Sequence, residues 1–403
     1  MRLVADSGLW STGPRVAPTP LAAVLEVSGA VLSWTIDDPR GSVGTRITFT
    51  DPTRADWLWR VLGESGHVAV ATALQGREAD EPRTIDVAGV SAPFTALSYG
   101  MLRVHMGTGS VDRLRRLAIG HWLRRWWPAS HRDGIAGLDR ALLDAEIAVL
   151  TAEAQEFFTD DTLDSDVEEL LAPHASALTA HVRAGDPRVL ELAHAAAELA
   201  ETIGADGSGW AELSATLDGS AAPGPVVVDL AGTIGARADN ALAAGPAPRR
   251  PGAAAIARGV GSIRWGAVPP DIFDPAENTI DWRIEVADSV PVAVVHTTVT
   301  GSAPAGGVAV RLRSETVSGT GVLDADGRAM LPLVNAHSQP MTESAAWDHD
   351  WAGTLVTIGA DVDESPQTRE RIRRFARARL DRPATGAFLA EILAAERPQA
   401  HRS

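Results

Sequence analysis

The stretch Ile280-Asp281-Trp282-Arg283-Ile284-Glu285-Val286 alternates apolar and charged side chains without a break. Successive residues of a strand point to opposite faces, so this pattern predicts one dry face and one wet face. Val308, Val310 and Leu312, interleaved with Ala309, Arg311 and Arg313, repeat it. Asp324-Ala325-Asp326-Gly327 is a turn sequence that joins Val322-Leu323 to Met330-Leu331 as a hairpin. Short strands at this spacing predict a small antiparallel β-sandwich over residues 253–362, of immunoglobulin-like or transthyretin-like type. That analogy concerns fold alone.

Upstream, Gly245-Pro246-Ala247-Pro248-Arg249-Arg250-Pro251-Gly252 holds three prolines and two glycines, the composition of an extended linker. Residues 111–244 before it read as a helical domain. Leu143, Ile147, Leu150, Ala154 and Phe157 keep helical spacing, and Asp186-Pro187 opens a helix that Gly204 closes. Shorter helices are expected at Val167–Leu171 and Trp210–Leu217. Residues 1–110 read as a mixed α+β unit. Leu32, Trp34 and Ile36, then Ile47 and Phe49, alternate as strands around the turn Asp38-Pro39-Arg40-Gly41. Asp51 and Pro52 open a helix expected to end near Gly63, with Trp57, Leu58, Val61 and Leu62 on its stripe. Strands are expected at Val68–Leu74, Thr84–Val90 and Met101–Met106. Residues 363–403 close the chain with helices, one capped by Ser365-Pro366 with Ile372, Phe375, Ala376 and Leu380 inward, another over Ala387–Ala395. The fold class expected is multidomain α+β.

Composition removes whole chemistries. All 36 basic side chains counted as Lys+Arg are arginine, and there is no cysteine. That excludes a P-loop or Schiff-base lysine, a cysteine nucleophile, a cysteine zinc site and a disulfide. The lack of lysine fits the codon bias of a GC-rich genome; selection against lysine modification is the sharper explanation. A net charge of −16 argues against nucleic acid as partner, since phosphate binding rests on a cationic surface. No apolar run long enough to span a bilayer occurs, and Met1–Trp10 lacks the apolar stretch of a signal peptide, so a cytoplasmic location is expected.

Four local patterns bear on chemistry. Glu191 and His194 share a helix face, as in di-iron bundles, but the second such pair that a metal site needs is missing. His349 lies between Asp348 and Asp350 in Trp347–Trp351, a general-base arrangement without a marked nucleophile. Gly107, Gly109 and Ser110 precede Arg113 and Arg116, a turn entering a helix that would suit an anion or nucleotide, although Asp112 opposes it. Residues 113–132 hold six arginines and no acid, with Ile119, Trp122, Leu123 and Trp126 on one stripe. Trp and Arg concentrate binding energy at interfaces, which makes Trp122, Arg124, Arg125, Trp126 and Trp127 candidates for contact with a protein partner. Burial of the same helix against its own domain is the competing reading. The acids between Asp160 and Glu169 and the arginines between Arg369 and Arg379 form opposite blocks that can pair or simply solvate.

The sequence reading is therefore a non-catalytic, cytoplasmic interaction or scaffold component, with no cofactor and no catalytic or metal-binding residue assigned. The alternatives are a hydrolase or transferase using His, Asp and Arg, and anion or nucleotide sensing at Gly107–Arg116.

Overall fold

The computed structural model describes residues 1–38, 44–74, 83–87, 109–155, 164–205, 207–220, 255–300 and 303–397. The chain folds as two compact units, residues 1–218 with 364–403, and residues 219–363. The linker expected at 245–252 and the strand expected at Met101–Met106 lie outside the described residues, as does most of the turn after Asp38.

The first unit opens with β1 (Arg2–Asp6), β2 (Leu9–Thr12), β3 (Ala22–Val27), β4 (Ala30–Thr35) and β5 (Arg46–Phe49). With β6 (Arg83–Asp86) they form an antiparallel sheet in the order β3-β4-β5-β2-β1-β6. Alternation puts Leu3, Leu32, Trp34, Ile47 and Phe49 in the core, as their spacing requires. The indole Nε1 of Trp34 donates to Thr45 Oγ1 at 2.9 Å, which makes burial of its N–H affordable.

Asp51 does cap a turn, accepting from the Thr53 amide at 3.0 Å, but the turn is a short 3-10 piece at Pro52–Arg54. The helical span α1 (Leu58–Leu74) is two helices that meet at Gly63, where a non-helical backbone (φ 73°, ψ 166°) ends the first as its sequence predicts. The strand expected at Val68–Leu74 is thus helix: Val70 and Leu74, one helical turn apart, are buried while Val68 is exposed. A short run rich in β-branched residues suits either period, and burial of every fourth residue decides for the helix. Of the strand expected at Thr84–Val90, β6 covers the first part, and residues 88–90 are outside the described set.

Next come α2 (Gly109–Trp126), α3 (Arg140–Gln155), α4 (Asp164–Leu171), α5 (Ala175–Ala184), α6 (Pro187–Thr202) and α7 (Ser208–Ser220). Asp186 accepts from the Arg188 amide at 2.9 Å and Pro187 takes the first turn, the start the sequence predicts for α6. Gly204, at φ 70°, closes that helix.

In the second unit β7 (Ala257–Gly261), β8 (Ile280–Ala287), β9 (Val290–Thr297), β10 (Ala309–Ser314), β11 (Val317–Val322) and β12 (Arg328–Val334) precede the short helix α8 (Glu343–Asp348) and β13 (Leu355–Ile358). Ile280, Trp282 and Ile284 point inward, and Asp281 and Arg283 outward. The Asp324–Gly327 turn is present, with Asp324 Oδ1 accepting from the amides of Asp326 and Arg328. The two separate sheets of a sandwich are replaced by a single antiparallel sheet of seven strands, in the order β13-β10-β11-β12-β9-β8-β7. β11 and β12 bridge the two halves through Ser318↔Val334 and Gly319↔Leu333. Glycine makes that junction possible: a Cβ at Gly321 would lie 2.7 Å from the Leu331 side chain, which therefore crosses β11 directly. The molecule is a mixed α+β protein with two antiparallel sheets.

The helices α9 (Pro366–Asp381) and α10 (Leu389–Glu396) belong to the first unit. Ser365 Oγ accepts from the Thr368 amide at 3.1 Å, and Ile372, Ala376 and Leu380 are buried as their spacing predicts.

Candidate interaction surfaces

The Trp/Arg segment forms α2, with Leu114, Leu117, Ala118, Ile119, Trp122 and Leu123 in the core. Trp122 donates its indole N–H to Pro20 O at 2.7 Å and meets the Phe375 ring edge-on at 5.4 Å between centroids. Trp127 donates to Ala136 O at 2.8 Å and packs on Ile135, Ala376, Leu380 and Ala394. Both tryptophans thereby face their own unit.

The arginines are consumed in the same way. Arg124 Nε donates to Asp144 Oδ1 at 3.1 Å, and the same carboxylate receives Arg140 Nε at 3.1 Å and His174 Nε2 at 3.0 Å. Asp144 is buried among apolar residues of α3, so three donors offset the cost of removing its charge from water. Arg116 pairs with Glu146, donates to Gly386 O at 3.1 Å and stacks over Phe388. Burial pushes the Glu146 carboxyl above the ordinary range, while the Leu389 amide and Arg116 pull it back. Burial also lowers the pKa of His121 below the usual imidazole value, helped by the Arg124 charge one turn on. Arg125 lies over the Trp126 ring at 4.2 Å, and both are half-buried near the end of α2.

Of the residues expected to form an anion site, Arg113 and Arg116 are the ones whose side chains are described. Gly107 lies outside the described residues, while Gly109 and Ser110 form the first turn of α2, which also holds Asp112. Arg113 reaches Glu153 at 3.4 Å and Arg116 is taken by Glu146, so neither faces the turn as a free cation. Glu191 and His194 are both exposed on α6, and among the described residues no group of three or more metal-ligating side chains gathers.

His349 caps the C-terminal end of α8 and finds a hydroxyl that the sequence did not mark. Its Nε2 is 3.0 Å from Ser314 Oγ, Thr354 Oγ1 is 3.1 Å from the same oxygen, and the Trp351 ring stands edge-on at 4.5 Å. Ser314 is fully buried, so its hydroxyl needs these partners irrespective of any chemistry. The Asp350 carboxylate is turned to the Ala352 amide at 2.9 Å.

The block of arginines in α9 pairs widely. Arg371 holds Asp37 at 2.8 and 3.0 Å, Arg373 reaches Asp133 at 2.9 Å, and Arg379 grips the buried Glu391.

The outward face of the second unit's sheet is different in kind. Cross-strand register sets Met330 opposite Val294, Val294 opposite Arg283, and Arg283 opposite Arg258. The adjacent row runs Arg328, His296, Asp281, Val260. Met330 and Val322 are each 60% exposed and Val260 58%, apolar area left in water on a sheet whose other face is core. No helix is long and apolar enough to cross a membrane among the described residues. No protein-family model, curated protein or solved structure matches the chain.

Proposed function

We propose that the chain is a non-catalytic, cytoplasmic protein-interaction component, and that it meets its partner through the outward sheet face of residues 257–358 rather than through α2. The observation that carries this is the exposure of Met330, Val322 and Val260 on wet-face positions of one sheet. Trp122 and Trp127, by contrast, spend their area inside their own unit. The charge of −16 supports a protein rather than a nucleic acid as partner. Affinity purification of the full chain from its native host tests the reading. Met330→Asp with Val322→Asp should remove a specific co-purifying protein that Trp126→Ala leaves in place. An unchanged set of co-purifying proteins with the sheet variant overturns it.

The hydrolase reading has one contact in its favour, Ser314 Oγ to His349 Nε2 at 3.0 Å. A nucleophile must meet its substrate, and Ser314 has 0% exposure. A fluorophosphonate probe should leave Ser314 unmodified; a labelled Ser314 in the folded protein would favour the enzyme.

A further inference from the structure

We propose that β7 is a docking edge for an extended acidic segment of a partner protein, which adds as a further strand and sets a carboxylate against Arg258. This rests on the interaction reading above and names the chemistry of the partner.

Among the described residues β7 is the terminal strand of its sheet, with β8 as its one neighbour. The far side of such a strand offers main-chain N–H and C=O groups to an added chain. Within β7 the exposed residues are Arg258 and Val260, and Ala257, Gly259 and Gly261 are half-buried. The inner side is closed: the Trp282 indole lies so tightly on Gly259 that a Cβ there would strike the ring. Among the described residues nothing pairs with the edge, and the outer face is left to Arg258 and Val260.

Charge decides the partner. Arg258 stands directly opposite Arg283, and like charges facing across a ladder destabilise it. Arg283 is relieved by Glu285, 2.7 Å away, whereas Arg258 has no ion-pair partner among the described residues. A strand added beside β7 places its next residue on the open side of Arg258, where a Glu or Asp completes the row. Two residues along, an aliphatic side chain meets Val260, because alternate residues share a face. The strands of this sheet carry five arginines and two acids in a chain of net charge −16; both acids lie on β8, where Glu285 is held by Arg283, which leaves Arg258 as the uncompensated charge of the edge. An unpaired guanidinium at the edge favours an acidic segment over a basic one.

The test uses the full-length protein and a fluorescent decapeptide, Glu-Thr-Val-Thr-Glu-Thr-Val-Thr-Glu-Thr, which sets glutamate and valine in turn on one strand face, read by anisotropy at low salt. Controls are the lysine–valine peptide, the glutamate–valine peptide N-methylated at alternate residues, and a single-stranded RNA. Binding of the glutamate peptide should weaken about tenfold or more with Arg258→Glu, and that variant should bind the lysine peptide instead. N-methylation should abolish binding, since it removes the donors that pair with the edge. Equal binding of the N-methylated peptide, or of wild type and Arg258→Glu, overturns strand addition. RNA binding at the same strength would make the face a general anion binder, and overturns the proposal too. If the sheet variant loses its host partner while the glutamate peptide never binds, the interaction reading survives and this inference fails.

Discussion

Phe388 fills the space that Gly120 leaves open on α2. A Cβ built on Gly120 would lie 2.7 Å from the Phe388 ring and 2.8 Å from Ile147. Glycine inside a helix costs about 0.5–1 kcal/mol against alanine, so its presence midway along α2 needs a packing reason, and Phe388 is that reason. Gly120→Val should destabilise the first unit by about 1–3 kcal/mol, the cost of overpacking a filled core. Denaturant unfolding measures it, and an equally stable or more stable variant would show that Phe388 moves aside freely.

Asp144 is the second place where a single change should tell. Asn keeps the volume but removes the charge that Arg124, Arg140 and His174 share. Breaking a buried ionic cluster from one side costs about 3–5 kcal/mol. A loss below about 1 kcal/mol in equilibrium unfolding would mean that water screens the cluster as it does a surface pair.

His121 gives the pH dependence its sign. Its pKa in the fold is depressed below the ordinary 6.5, so the unfolded chain takes up the proton first. Stability from this group is therefore complete above pH 6.5 and drains away as the pH falls below it. His121→Gln should flatten the fall in unfolding free energy as the pH drops below 6.5. Parallel curves for the two proteins would show that His121 does not titrate in the unfolding reaction.

Trp282 anchors the other unit, its indole lying on Gly259 of the neighbouring strand. Trp282→Ala should cost about 3–5 kcal/mol, as large-to-small changes in cores do. A thermal melt of wild type and variant checks it, and an unaltered transition would mean that the sheet's inner face tolerates a void.

Legibility followed the distance over which a pattern speaks. The alternation at Ile280–Val286 and the caps at Asp186 and Ser365 are local, and β8, α6 and α9 form where they indicate. Val68–Leu74 misled because Val, Ala and Thr side chains fit a strand as well as a helix, and only burial of Val70 and Leu74 separates the two. The arginines of α2 were visible as a cluster, but their destinations were not. Asp144, Glu146 and Glu153 all sit on α3, where their helical register decides which guanidinium each one meets. The acid at Asp144 within the apolar run of α3 was the available signal, with Arg140 at i−4 as its nearest clue. Ser314 and His349 are separated by 35 positions on different elements, and no spacing rule joins them.

The first unit is built from two stretches of chain, residues 1–218 and 364–403, with the whole second unit encoded between them. During synthesis the ribosome delivers residues 219–363 before α9 and α10 exist. Until they emerge the notch at Gly120 stays empty, and Glu146 lacks the Leu389 amide. The earlier-begun unit is thus the later to finish, and a chain stopped short of Phe388 carries an open apolar seam beside a half-paired carboxylate. Such a seam is what chaperones and proteases read, so a chain lacking α9 and α10 should be cleared faster than one that carries them.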